Sequence, residues 1–231
     1  PCRSSGRRNR SLRVLITGAT GLIGRPLAEH LVADGHEVVP LRRGQATGAA
    51  APRWNPEAGT IDAAALEGFD GVVHLAGESI AARFTGRHRR AVLESRRAGT
   101  RLLCRTLASL RHPPRVLISS SAIGIYGDRA EEALDEASRP GEGFLAEVAK
   151  IWEEETAAAE RAGIRVVLAR TGLVLSAHGG ALAPLLLPAK LGLGGPLGSG
   201  RQWWSWIALD DVLGAVGRAL VSSTLWGPLH L

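Results

Sequence analysis

The segment Gly18-Ala19-Thr20-Gly21-Leu22-Ile23-Gly24 has the residue types and spacing of a phosphate cradle. Its G-x-x-G-x-x-G pattern is one residue wider at the first step than the common dinucleotide-binding form. Gly18 allows a sharp turn, Gly21 lets backbone approach a pyrophosphate, and Gly24 permits close packing of the helix that follows. That helix start offers free N–H groups and a positive dipole end to an anion. A second chemical signal lies at Leu41-Arg42-Arg43. An acid at the end of the second strand would hold a free ribose 2′-hydroxyl. Two guanidiniums there suit a 2′-phosphate instead, through charge-assisted, bidentate hydrogen bonds. The pair therefore points to NADP(H), with NAD(H) as the alternative and a simple solvated pair as the plain reading.

These residues need elements to position them, and the hydrophobic pattern supplies alternating strands and helices. Leu12–Thr17 reads as a buried strand, Leu22–Ala33 as a helix stopped by Asp34-Gly35, and His36–Leu41 as the next strand. Residues 44–60, rich in Gly, Ala and Pro, read as a loop. Gly71–Leu75 and Arg115–Ser119 are strands on either side of a long Arg-studded helix over Arg87–Leu110. Phe144–Ala162 reads as one helix, Ile164–Ala169 as a strand, and Leu209–Val221 as a last helix with Asp210 or Asp211 placed to cap it. Strands alternating with helices predict an α/β fold, a doubly wound parallel sheet covered on both faces. Ligands of such sheets sit beyond the carboxyl ends of the strands.

Several segments carry a family resemblance. The glycine spacing, His74-Leu75-Ala76-Gly77 and Ser119-Ser120-Ser121…Tyr126-Gly127 resemble the extended (atypical) short-chain dehydrogenase/reductase superfamily, whose nucleotide domain is Rossmann-like. Trp54-Asn55-Pro56, Leu75–Ile80, Ser121–Gly124, Arg170-Thr171-Gly172 and the glycine-tryptophan segment Gly192–Ile207 are similar to its sugar-nucleotide epimerase group. Some bacterial members of that group carry an inherited label as cell-division inhibitors. The likeness spans nearly all of residues 12–231, following a basic tail over residues 1–11. It implies an NADP(H) site in which residues 18–24, Thr20, Leu22 and Ile23 included, hold the pyrophosphate. It places Leu75 and Ala76 along the adenine-to-ribose path, with Gly77 and Glu78 just beyond. It also implies that Arg96 reaches the cofactor and that Val174 lies near the nicotinamide.

The resemblance implies a catalytic serine from a strand end and a Tyr-x-x-x-Lys pair, whose spacing puts both side chains on one helix face. Here Ser121 (or Ser120) keeps the hydroxyl, but four residues before Lys150 stands Ala146. The chain has a single tyrosine, Tyr126, outside any such motif. Tyr126 either donates the proton from another backbone position or packs near the nicotinamide, and Lys150 is either the family lysine or an exposed helix residue. The small substrate lobe of extended members would follow Gly227–Leu231, so the resemblance implies that this lobe is largely missing.

Other features carry less chemistry. His74 ends a buried strand and reads as a satisfied core residue. In Trp203-Trp204-Ser205-Trp206, alternation puts Trp204 and Trp206 on one face, against either the core or a ligand ring. Asp210-Asp211 reads as a helix cap, and no metal site is expected.

The 231 residues, 45% hydrophobic and 22% charged, suit a globular domain rather than a disordered chain. No run approaches the ~18 apolar residues of a membrane span, so no membrane partner is expected. Cys2 and Cys104 have no metal-ligand spacing and imply no oxidising compartment. The net charge of +6 includes Arg3, Arg7, Arg8, Arg10 and Arg13, and without these five the rest carries only +1. The basic excess is thus a tail and not a nucleic-acid surface. Its Arg- and Ser-rich, acid-free composition fits an organellar transit peptide as the alternative to a cytoplasmic protein. Two function classes follow. One is an NADP(H)-dependent oxidoreductase or nucleoside-diphosphate-sugar epimerase acting on a small molecule; the other is a non-catalytic NADP-binding redox sensor or interaction protein.

Overall fold

The computed structural model describes residues 11–44, 51–177, 179–195 and 198–231. The basic tail up to Arg10, with Cys2, lies outside the described residues, as do Pro196 and Leu197 of the glycine-tryptophan segment.

In chain order, β1 (Arg13–Thr17), α1 (Gly24–Ala33) and β2 (Glu37–Arg43) form the first unit, followed by β3 (Arg53–Asn55) and β4 (Thr60–Ile61). Then come β5 (Gly71–His74), α2 (Gly86–Ser109) and β6 (Val116–Ala122). Next are α3 (Phe144–Glu154), α4 (Ala157–Arg161), β7 (Arg165–Thr171), β8 (Leu173–Ser176) and β9 (Gly179–Gly180). The described chain closes with α5 (Ala183–Lys190), β10 (Trp206–Ala208), α6 (Leu209–Val221) and β11 (Gly227–His230).

The main sheet runs β11-β7-β6-β5-β1-β2-β3-β4, and a small second sheet runs β10-β8-β9. Every neighbour pair of the main sheet is parallel except β3–β4. From β1 the chain moves outward to β2 and β3, then returns to β5 on the other side of β1. That reversal is the topological switch point at which doubly wound sheets open a crevice. The expected α/β architecture is present, with helices on both faces.

Alternation along the strands sends their side chains into two cores. Val14 and Ile16 join Leu27 and Leu31 of α1 and Val212, Leu213 and Val216 of α6 on one side. Leu15 and Leu117 join Leu103 and Leu107 of α2 on the other. Helix α1 stops where expected: Gly35 takes φ +86°, and the amides of Gly35 and His36 return to the carbonyls of Val32 and Leu31. This double closure satisfies carbonyls that the helix end leaves open.

Three local expectations need correction. Of the expected loop over residues 44–60, residues 45–50 lie outside the described residues, and residues 53–61 form the β3–β4 hairpin, because Trp54 is buried at 2% exposure and anchors the segment against the ring of His74. The single helix over Phe144–Ala162 is two, because the buried Thr156 hydroxyl donates to the Glu153 carbonyl at 2.7 Å and competes with the helical ladder. Asp210 and Asp211 do not cap α6; Ala208 stands at the cap, and both acids sit in the first turn, where they favour the dipole.

Candidate functional site

The turn between β1 and α1 is built from backbone in close contact. Gly18 has φ +70°, and a Cβ there would come within 2.9 Å of the Leu75 carbonyl carbon. A Cβ on Gly24 would overlap the Gly18 carbonyl oxygen, so the third glycine admits close packing of the helix on the turn itself rather than on the strand. Gly21 is exposed and lines the cleft, and a Cβ there would come within 3.3 Å of the Gly18 carbonyl oxygen. No side chain caps α1, and its first turn holds no acid. The Arg25 and Leu27 amides bond to the Gly21 and Ile23 carbonyls and Pro26 has no N–H, so the amides of Leu22, Ile23 and Gly24 at the helix entry are the ones an anion can use.

A cleft of about 940 Å³ opens from this turn, at the upper end of the range for small-molecule sites. Gly18, Thr20 and Gly21 form one wall, Arg42 and Arg43 the far end, and Leu75, Ala76, Gly77 and Glu78 the side along β5. The structure thus brings nine of the residues singled out from sequence around one opening. Glu29 and Val32 of α1, Val38 and Pro40 of β2, and Trp54 also line it. Sequence reasoning missed these; one helical turn spacing in α1 and alternation in β2 would have placed all but Trp54.

The side chains of four residues implied as cofactor contacts do not line this cleft. Leu22 packs its side chain against Gly179 and Gly180 of β9, and Ile23 packs on the core, although their backbone remains at the helix entry. Val174 packs against the same core from β8. Arg96 does not line the cleft: it lies beneath Gly77, donates to the Glu78 carbonyl at 2.9 Å and to the Val92 carbonyl, and covers the Trp152 ring at 4.8 Å. It buttresses the loop that carries Gly77 and Glu78. Burial pulls the Arg96 pKa down, and the nearby Glu78 partly offsets this.

His74 fixes the same loop from below. Thr17 Oγ1 accepts the amides of Leu75 and Ala76, each at 3.1 Å, so its own proton goes to His74 Nδ1 at 2.7 Å. His74 Nε2 then carries the proton that Thr100 Oγ1 accepts at 3.0 Å. His74 is a satisfied core residue, as its place at a buried strand end suggested.

The candidate proton-transfer residues form a separate group. Ser121 is buried and donates to Glu153 Oε1 at 2.6 Å. Glu153 also accepts from Arg170 Nε and Nη2, both at 2.8 Å. Arg170 Nη1 donates to the Tyr126 hydroxyl at 2.7 Å and to the Glu136 carbonyl. Tyr126 further contacts His230 Nε2 at 2.6 Å and the Asp135 carbonyl at 3.0 Å, and its single proton goes to one of these two. Burial pushes the Tyr126 phenol up, and the Arg170 contacts only partly oppose it. Lys150 stands exposed on α3 and takes part in no hydrogen bond or ion pair among the described residues. The structure therefore joins Ser121 to Tyr126 through Glu153 and Arg170, and leaves Lys150 apart.

Trp204 and Trp206 do share a face: they line an apolar cavity of about 420 Å³ with Leu173, Leu175 and Leu185. Trp203 and Ser205 instead line a larger cavity beside Tyr126 and His230. Among the described residues, no group of His, Cys, Asp or Glu is arranged to hold a metal ion, and no helix is long and apolar enough to cross a membrane.

The profile of the NAD dependent epimerase/dehydratase family matches residues 14–224. The chain belongs to this family. An epimerase family protein of Mycobacterium bovis is 40% identical over 219 residues, which cover 94% of this chain and 72% of that protein. The crystal structure of the nucleoside-diphosphate sugar epimerase from Corynebacterium glutamicum superposes with a TM-score of 0.82 at 42% identity. The match covers 95% of this chain and 46% of that one. The human epimerase family protein SDR39U1 (isoform 2), crystallised with NADPH, also gives a TM-score of 0.82, at 35% identity over 95% of this chain and 73% of its own. The resemblance to an epimerase group of short-chain dehydrogenase/reductases is thereby shown, together with the Rossmann-like fold and a nicotinamide-cofactor family.

Proposed function

We propose that this chain binds NADP(H) in the cleft and acts as an oxidoreductase or epimerase on a small molecule of the nucleotide-sugar class. One observation carries the reading: an uncapped helix start and two arginines that join no ion pair among the described residues face the same cleft, ready for two separate phosphate groups. The backbone around Gly18 and Gly21 takes the pyrophosphate, Arg42 and Arg43 take the ribose phosphate, and Leu75–Glu78 hold the adenosine half in register. NADP(H), when bound, supplies hydride transfer. The NADPH-bound human relative and the sugar-epimerase name of the corynebacterial one support the cofactor and the substrate class.

The arginine assignment is tested by titrating an Arg42→Ala/Arg43→Ala double variant. Both residues are exposed, so each contact is worth about 1 kcal/mol, and NADPH affinity should fall about 30-fold. NADH affinity should hardly move. Equal losses for both cofactors would remove the arginines from phosphate recognition.

The Tyr126 network favours a second reading, a non-catalytic NADP-binding protein. A phenol pushed up in pKa and held by Arg170 lacks the lysine-lowered acidity that proton transfer in this superfamily uses. Substrate-dependent hydride exchange from labelled NADPH separates the readings, because only the enzyme shows it. For the enzyme, Tyr126→Phe is expected to leave that exchange within about 2-fold; a 10²–10⁴-fold fall would instead place Tyr126 in proton transfer.

A further inference from the structure

Arg53 is a cation that motif reasoning does not reach. It opens β3, and the ladder pairs it directly with Arg42, while Arg43 pairs with Trp54 of the cleft wall. Neighbouring strands lie about 4.7–4.9 Å apart, so two guanidinium stems leave the sheet side by side. Like charges at opposed sheet positions repel. None of Arg42, Arg43 and Arg53 joins an ion pair among the described residues, and residues 44–52 contain no acid at all. The acids that line the cleft, Glu29 and Glu78, sit on α1 and beyond β5, and neither bonds these arginines.

The guanidinium of Arg53 is also incompletely used. Its Nε is buried and has no hydrogen-bond partner among the described residues. Its Nη1 lies 3.0 Å from the point a Cβ of Gly44 would occupy, which puts the fork immediately after Arg43. A buried charged donor without an acceptor is costly to keep. Arg53 does not itself line the cleft, but its place beside Arg42 and Gly44 puts its guanidinium next to the two that do, and three such groups suit a doubly charged, multi-oxygen anion, which is what a ribose phosphate presents.

We propose that Arg53 is a third, specificity-determining guanidinium of the 2′-phosphate pocket, with β3 positioning it beside Arg42. The inference rests on the NADP(H) reading above and adds a residue from a different strand to it.

The test is equilibrium titration of the full chain with NADPH, NADH and adenosine 2′,5′-bisphosphate. In Arg53→Gln, affinity for NADPH and for the bisphosphate should fall about 10-fold, with NADH held within about 2-fold. Arg53→Lys keeps a point charge without the fork and should lose an intermediate amount; it carries the test if the glutamine variant does not fold. Equal weakening of NADPH and NADH overturns the proposal, because Arg53 would then only shape the hairpin. Unchanged NADPH binding in Arg53→Gln beside a loss in Arg42→Ala also overturns it, while leaving the NADP(H) reading in place. A wild-type chain with no preference for NADPH over NADH overturns both.

Discussion

Glu153→Gln should cost 3–5 kcal/mol of folding stability, read as a lower midpoint in urea unfolding at pH 7. The side chains of Glu153 and Arg170 are 11% and 7% exposed, and two parallel bonds of 2.8 Å join them. Bonding to Glu153 is the main reason the Arg170 pKa is raised. Glutamine keeps the shape of the acid but leaves the guanidinium buried without a counter-charge, the expensive outcome for a buried pair. The loss would also reach Tyr126 and His230, because Arg170 ties the Tyr126 hydroxyl to the end of β7 and Leu231 bonds back to the Arg170 carbonyl. Removing both charges in Glu153→Leu/Arg170→Met should cost less than the single change. A single variant within about 0.5 kcal/mol of wild type would show that solvent already compensates Arg170.

The parts of this molecule written in local pattern were legible from sequence. Strands β1, β2, β5, β6 and β7 are apolar runs bounded by turn residues, and the turn from β1 to α1 declares itself through glycines that backbone contact requires. Nine cofactor-site candidates converge on one cleft because each lies within a few residues of a strand end, which the sheet must bring to one side. What sequence left unresolved depends on partners far along the chain. Trp54 turns a glycine- and alanine-rich stretch into a hairpin because its ring is buried beside His74 and Gly99 of α2. Arg96 matches a basic family position, yet Trp152 and the Glu78 carbonyl hold it under the loop. The roles open to Tyr126 could not be weighed without Arg170 and His230, 44 and 104 residues downstream.

Acidification should destabilise the fold through His74 alone by about 3 kcal/mol between pH 6.5 and pH 4. Complete burial, with a smaller contribution from Arg96, pulls the His74 pKa down from 6.5 to about 4. Above pH 6.5 neither the folded nor the unfolded chain binds a proton here, so stability is level. Between pH 6.5 and 4 the unfolded chain takes up a proton that the folded chain refuses, and stability falls by about 1.4 kcal/mol per pH unit. Below about pH 4 both states are protonated and the contribution stops changing. The structural reason is specific: Nδ1 accepts the Thr17 proton, and a second proton there would break the contact that sets Leu75 and Ala76 beside the glycine turn. Urea unfolding of wild type and His74→Asn across this range isolates the effect, since other acid-sensitive groups cancel in the difference. The same acid dependence in both proteins would mean that His74 titrates near its ordinary value.

Calorimetric titration of the full chain with NADPH, and in parallel with NADH, reaches the cleft itself. One saturable site that favours NADPH at least 10-fold is the expected result, with the preference lost in Arg42→Ala/Arg43→Ala. No heat with either cofactor, reduced or oxidised, would contradict the assignment of this cleft to a nicotinamide dinucleotide.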